Sequence, residues 1–277
     1  MTHTPGILQP LGDGLARLLA PNPSPYTAEG TWVHLIGHDR LAILDPGPAY
    51  PAHLDALVAA VAGRLVDAIL VTHTHRDHSP AAAPLSARLG APVWGCAPLV
   101  IPGDQEAGFD STYTPDQVLA DGETIEAGGA TIEAVHTPGH TSNHLCFALG
   151  HRLFSGDHVM GWSTTVVIPP DGHMGAYMAS LAKLQGRPET LYHPAHGEPV
   201  DDPQRLLRGM LTHRVQRERQ PLRLVEEQPA TLPALAARAY PALDARLRPA
   251  AEATALAHLI TLEERGLVAC VDGLWKA

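Results

Sequence analysis

One heptapeptide constrains this chain more than anything else in it. Residues 72–78 read Thr72-His73-Thr74-His75-Arg76-Asp77-His78, three imidazoles and a carboxylate within six positions. At the chain's own residue frequencies an HxHxDH pattern arises in roughly 0.4% of shuffled sequences, so chance explains it poorly. The flanks matter as much. Ala68-Ile69-Leu70-Val71 is a short, wholly apolar run, as in a strand covered on both faces. Ser79-Pro80 reads as an N-cap and first helical residue, opening a helix over 80–89 that ends at Gly90. A loop at a strand end presents its side chains on rigid supports. His73 and His75, two apart in extended backbone, point the same way, while Asp77 and His78 turn into the helix start. One loop can therefore serve two adjacent metal ions.

One loop does not close a coordination sphere. Thr137-Pro138-Gly139-His140 follows a predicted strand at 130–135 and offers His140. Ser155-Gly156-Asp157 follows a strand at 152–154 and offers Asp157, and His193-Pro194-Ala195-His196 follows a strand at 190–192 and offers His196. Five histidines and two aspartates fill two sites of four to five ligands if Asp157 bridges. Imidazole and carboxylate without thiolate suit zinc, and suit iron and manganese as well. Two ions side by side can hold a hydroxide between them, its pKa brought toward about 7. That hydroxide would be the nucleophile, with Asp77 positioning it and receiving its proton. No Ser or Cys nucleophile is needed.

Composition removes several classes. No run approaches the roughly 18 apolar residues of a membrane span. The start has neither a basic n-region nor an apolar h-region, so no secretory signal is expected. The three cysteines are scattered and never form CxxC, which fits a reducing cytoplasm rather than a disulfide framework. The net charge of −10 is uneven: residues 201–277 hold 11 Lys+Arg against 10 Asp+Glu, and residues 1–200 hold 8 against 19. The first part lacks the basic footprint of a nucleic-acid binder.

Patterning outlines the organisation. Trp32–Ile36 and Leu41–Leu44 read as a hairpin, then a helix over 52–62 with Gly63 as its cap. Further strands fall at 124–126, 130–135, 145–149 and 152–154, a helix at 174–185 and a last strand at 190–192. Strands mixed with helices suggest two packed sheets with helices outside. Near residue 200 the character changes. A helix over 203–220 ends at Pro221, helices follow at 231–239 and 250–265, and a small hairpin turns at Asp272-Gly273. This order describes a winged helix, so the expected domains are 1–200 and 201–277.

The HxHxDH loop with spaced His140, Asp157 and His196 resembles the sequence motifs of the metallo-β-lactamase-fold superfamily, Asp45 included. The resemblance implies an α/β fold, an αββα sandwich with a small C-terminal winged-helix domain. It implies that His73, His75 and His140 bind one ion, that Asp77, His78 and His196 bind the other, and that Asp157 bridges two zinc ions. Asp45 would support the metal loop without ligating. The stretches Ala20–Tyr26, Thr137–His144 and Gly161–Thr165 look like a subgroup that carries a winged helix and includes a mitochondrial single-strand endoribonuclease. Trp32-Val33-His34 departs from it, where relatives tend to carry small polar residues, and is expected to alter the cleft beside the metals.

The expected function is therefore a cytoplasmic dinuclear-zinc hydrolase whose bridging hydroxide attacks an ester-like carbonyl or a phosphodiester. Its substrate would be a small ester, thioester, lactone or β-lactam, or single-stranded RNA. A reading of another class makes the winged helix a nucleic-acid-binding regulator and the sandwich a metal sensor. A homodimer through the winged helix is a further expectation; a membrane partner is not. Arg205, Arg208, Arg214, Arg217 and Arg219, with Glu218 interleaved, read as a solvated helix face. His144, His158, His173, His193, His34 and His258 read as structural, and Ser163, Thr164 and Thr165 as ordinary loop polarity.

Overall fold

The computed structural model describes residues 3–99, 101, 108–241 and 248–277. Its contacts divide the chain into two compact units: Met1–His136, Asn143–Ser163 and Pro188–Pro203 form the first, and Thr137–Ser142, Thr164–Arg187 and Gln204–Ala277 the second.

The first unit opens with β1 (Leu8–Gly12) and β2 (Leu15–Leu19), followed by β3 (Trp32–Ile36) and β4 (Arg40–Leu44), the expected hairpin. Sequence patterning missed β1 because Pro10 and Gly12 interrupt it and most of its side chains face solvent or its fringe. Helix α1 (Pro51–Val61), β5 (Leu65–Val71), α2 (Ala82–Leu89), β6 (Val93–Gly95) and the two-residue β7 (Gln117–Val118) complete a seven-stranded sheet in sequence order. It is antiparallel from β1 to β4 and parallel from β4 to β7. Next come β8 (Thr124–Ala127), β9 (Ala130–His136), β10 (Leu145–Leu149) and β11 (Arg152–Gly156). The second sheet runs β12-β11-β10-β9-β8, where β12 (Leu191–Pro194) lies parallel to β11. One apolar cluster joins the two sheets and both helices: Val33, Leu41 and Ile69 meet Ile132, Phe147 and Phe154, with Leu57 of α1 and Leu85 of α2. The core is thus sealed beneath the strand ends that carry polar loops.

Two local expectations are corrected. Ser79 does not cap α2, whose N-cap is Ala81 with no side-chain bond. The Ser79 hydroxyl instead donates to Asp110 Oδ2 at 2.9 Å. Helix α1 stops at Val61, and Ala62 at φ 53° takes the left-handed cap expected of Gly63.

The second unit holds α3 (Met174–Leu184), α4 (Pro203–Glu227), α5 (Leu232–Ala239), α6 (Arg248–Glu264) and the hairpin β13 (Ala269–Val271) and β14 (Leu274–Lys276). Leu224, Val225, Leu235, Leu259, Leu262 and Trp275 form its own core. Helix α4 runs through Pro221 rather than ending there. An interior proline costs about 3 kcal/mol. Burying Leu224 and Val225 one turn later recovers about 1.5–3 kcal/mol each, enough to offset that cost. Among the described residues, no helix is long and apolar enough to cross a membrane.

Candidate metal centre

The 72–78 loop leaves β5 over a buried carboxylate. Asp45, directly after β4, adopts φ 49°, a left-handed backbone that Asp tolerates better than most residues. Its Oδ1 accepts the Thr72 N–H at 2.8 Å, and its Oδ2 accepts the Thr72 hydroxyl at 2.8 Å and His78 Nδ1–H at 3.0 Å. Asp45 thus fixes the first and last residues of the loop without entering the cluster itself.

These bonds also set tautomers. The Thr72 hydroxyl gives its proton to Asp45, so at 3.0 Å it accepts one from His73 Nδ1. His196 Nδ1–H donates to the Gly30 carbonyl at 3.0 Å. Each ring spends Nδ1 on a support and turns Nε2 toward the cluster, the arrangement metal-ligating histidines use. Glycine is strongly favoured at position 30: at φ 144° an added Cβ would lie 2.2 Å from the Ala20 carbonyl oxygen.

Two groups of donors result. One ligand atom from each of His73, His75 and Asp157 lies within 4.8 Å of the others, and the same holds for Asp77, His78 and His196. His73 Nε2 and His75 Nδ1 converge to 2.9 Å. The Asp157 carboxylate faces both groups: Oδ1 is 3.2 Å from His196 Nε2 and 3.5 Å from His78 Nε2, while Oδ2 is 4.0 Å from His73 Nε2. Asp77 Oδ2 lies 3.2 Å from His196 Nε2 and 3.3 Å from His78 Nε2.

The electrostatics match a cation site. Burial opposes charge on His78 and His196, yet the nearby Asp77 and Asp157 carboxylates outweigh it. His78 is held well above the ordinary imidazole range, and His196 is raised to about 10. Burial likewise pushes the Asp77 carboxyl up, but His78 and His196 hold it well below the usual carboxylate range. Buried carboxylates that draw positive charge onto imidazoles are what a divalent ion would satisfy in their place. Convergent ring nitrogens and a two-faced carboxylate fit a metal site.

His140 lies in the second unit, on the segment after β9. Its Nδ1–H donates to the Val166 carbonyl at 2.7 Å, so Nε2 is the ring nitrogen that could take a metal ion.

Sequence reading missed several supports. Asp77 Oδ2 accepts the Thr31 hydroxyl at 3.3 Å, and Asn22 binds Thr31 through both its side-chain atoms, at 2.9 and 3.0 Å. Trp32 does not line an open cleft: it is buried beneath Arg17, and its Nε1–H donates to the Gly197 carbonyl beside His196. His144, read as structural, accepts the Asp157 N–H at 3.2 Å. His34 and His193 do pack as core rings against Phe154, and burial lowers His193 to about 4. Arg214 is no solvated residue; it is 3% exposed.

Residues 26–196 match the metallo-beta-lactamase superfamily, and residues 231–275 match the beta-lactamase associated winged helix domain. An atrochrysone carboxyl ACP thioesterase from Cryptosporiopsis sp. is 32% identical over 220 residues, covering 76% of this chain and 62% of that protein. A lactamase-like protein from an Aspergillus species is 32% identical over 219 residues, covering 75% and 62%. The chain thus spans less than two thirds of these relatives. Among solved structures, a metallo-beta-lactamase family protein from Thermus thermophilus aligns with TM-score 0.80 at 23% identity, covering 96% of this chain and 99% of that one. A beta-lactamase domain protein from Burkholderia ambifaria aligns with TM-score 0.82 at 21% identity, covering 99% and 95%. The α/β fold expected from the sequence is the one these structures share, and the chain belongs to the metallo-β-lactamase superfamily, with the associated winged-helix domain at its C-terminal end.

Proposed function

We propose that this protein is a dinuclear-metal hydrolase that cleaves a thioester or related carboxylic ester. The observation that carries the reading is Asp157, whose two carboxylate oxygens face two separate groups of imidazole donors. His73, His75 and His140 would hold one ion, Asp77, His78 and His196 the other, and Asp157 both. Residues 1–200 would form the catalytic domain and 201–277 the winged-helix domain. Zinc suits the donor set, and when bound it would lower the pKa of water toward about 7 and polarise a carbonyl oxygen. The chain's own residues do the rest. Asp77, ionised and aligned by the Thr31 hydroxyl, orients the attacking water and takes its proton at a carboxylate oxygen. Thr72, Gly30 and Asp45 hold the imidazoles in one tautomer. The thioester preference is supported by the activity for which the Cryptosporiopsis relative is named.

The test is zinc content per chain together with turnover of an acyl thioester, a lactone, a chromogenic β-lactam and single-stranded RNA. Two zinc ions and thioester turnover lost in Asp77→Asn would support the reading. Preferred cleavage of RNA would replace the substrate with the endoribonuclease alternative. No zinc uptake, with salt-sensitive nucleic-acid binding instead, would favour the regulator.

A further inference from the structure

We propose that Arg214, on α4, is a positioning residue for His140, so that the C-terminal helices help to hold one of the two ions. The inference rests on the metal reading above, and every contact behind it lies within the second unit.

His140 is oriented by the Val166 carbonyl, 2.7 Å from its Nδ1. Val166 belongs to the stretch 164–168, which has no helix or strand to hold it. Contacts with neighbouring segments must therefore fix it. The buried Arg214 guanidinium supplies one, with Nη2 donating to the carbonyl of Thr165, the residue next to Val166. The same guanidinium lies over the Tyr177 ring of α3, 5.0 Å from its centroid. Tyr177 in turn forms the floor of the His140 loop: a Cβ added to Gly139 would lie 2.2 Å from Tyr177 Cα. The Gly139 carbonyl accepts the His173 N–H at 2.8 Å, and the Pro138 carbonyl accepts the Ser180 hydroxyl at 2.8 Å. One cation therefore touches both supports of His140, the strip that fixes its ring and the helix beneath its loop.

Arg214 is also expensive to keep. Among the described residues it forms no ion pair with a carboxylate, its Nε makes no hydrogen bond, and its charged or titratable neighbours include Tyr177, His213, Arg217 and His258. A buried charge without a counter-ion is disfavoured unless its hydrogen bonds need it. Leucine or methionine would fill an apolar stripe at lower cost. A fork that reaches a backbone carbonyl while stacking on a ring is something only arginine provides.

The experiment uses the full chain loaded with zinc. Affinities for each ion are measured by graded chelator competition and by the visible spectrum of the cobalt-substituted protein. Arg214→Met should weaken one ion by about 10–100-fold, leave the other at its wild-type affinity, and match His140→Ala in its cobalt spectrum. Arg214→Lys, which keeps one donor, should fall between. Trp275→Ala, which loosens the same unit through its core, should lower Tm and keep both affinities. Wild-type binding of both ions by Arg214→Met would overturn the proposal, and so would equal loss of the same ion in Trp275→Ala. If Arg214→Met does not fold by near-ultraviolet circular dichroism, Arg214→Lys is judged against Trp275→Ala by the same criteria. Failure of the wild-type protein to take up zinc would instead overturn the metal reading itself.

Discussion

The loop at 72–79 and the loop at 137–142 carry the same kind of side chain and are held in opposite ways. The first is tied to a buried anion: Asp45 receives a backbone N–H, a hydroxyl and an imidazole N–H from it. The second is tied to backbone carbonyls, with a buried cation behind them: Val166 orients His140, and Arg214 holds the neighbouring Thr165. A carboxylate beside ligands supports positive charge directly. A guanidinium cannot, so it acts one residue removed. In the proposed centre, imidazoles would be placed from either sign of charge, with the cation kept off the ligand itself.

The sharpest test of this contrast is Asp45→Ala. It leaves three buried donors without their acceptor, and removing one partner from a buried ionic site costs about 3–5 kcal/mol. Chemical denaturation should show that loss, and zinc analysis should show both ions weakened. Asp171→Ala gives the counterpart, since Asp171 accepts the Ser142 N–H and hydroxyl at the exposed end of the other loop. It should cost about 1 kcal/mol. Equal losses would break the comparison. Next in size is Gly30→Ala, which forces an unfavourable backbone and should cost about 1–3 kcal/mol. It should also lower zinc affinity, because the Gly30 carbonyl holds His196. Thr31→Val removes only a hydroxyl from Asp77. Turnover should fall about tenfold, equivalent to about 1.4 kcal/mol, with zinc content unchanged. Lost zinc would make Thr31 a support of the ion rather than of the reaction.

What was legible in the sequence follows the same division. The seven residues proposed as donors and Asp45 stand out in the sequence because their types are metal-binding or acidic and each lies in a segment that follows a strand. Thr31, Asn22 and Gly30 could not, because their contacts span up to 166 positions and their types are ordinary in loops. Arg214 did leave a signal. Leu207, Met210, Arg214, Pro221 and Val225 follow helical spacing, and all are buried. Reading charge by type placed Arg214 with the exposed Arg205, Arg208 and Arg219; reading it by phase places it on the inner face. The extent of α4 was lost for a related reason, since tertiary burial overrode the proline.

The smallest expected effect concerns pH and separates the two units by their own histidines. Burial, then Arg214, His213 and Arg217, lower His258 on α6 to about 3. Unfolded, the same ring titrates near 6.5. Above that value neither state is protonated and His258 adds no pH dependence. Between about 6.5 and about 3 the unfolded chain binds a proton that the folded chain refuses, so stability falls as pH falls. His258→Leu removes that proton and should flatten the acid limb of the second unit's melting curve, followed by calorimetry. His34 and His193 are lowered in the same direction in the first unit, so its acid limb should stay steep in this variant. If both limbs flatten together, the units do not unfold separately. The support of His140 would then be felt throughout the chain rather than confined to the helices that carry Arg214.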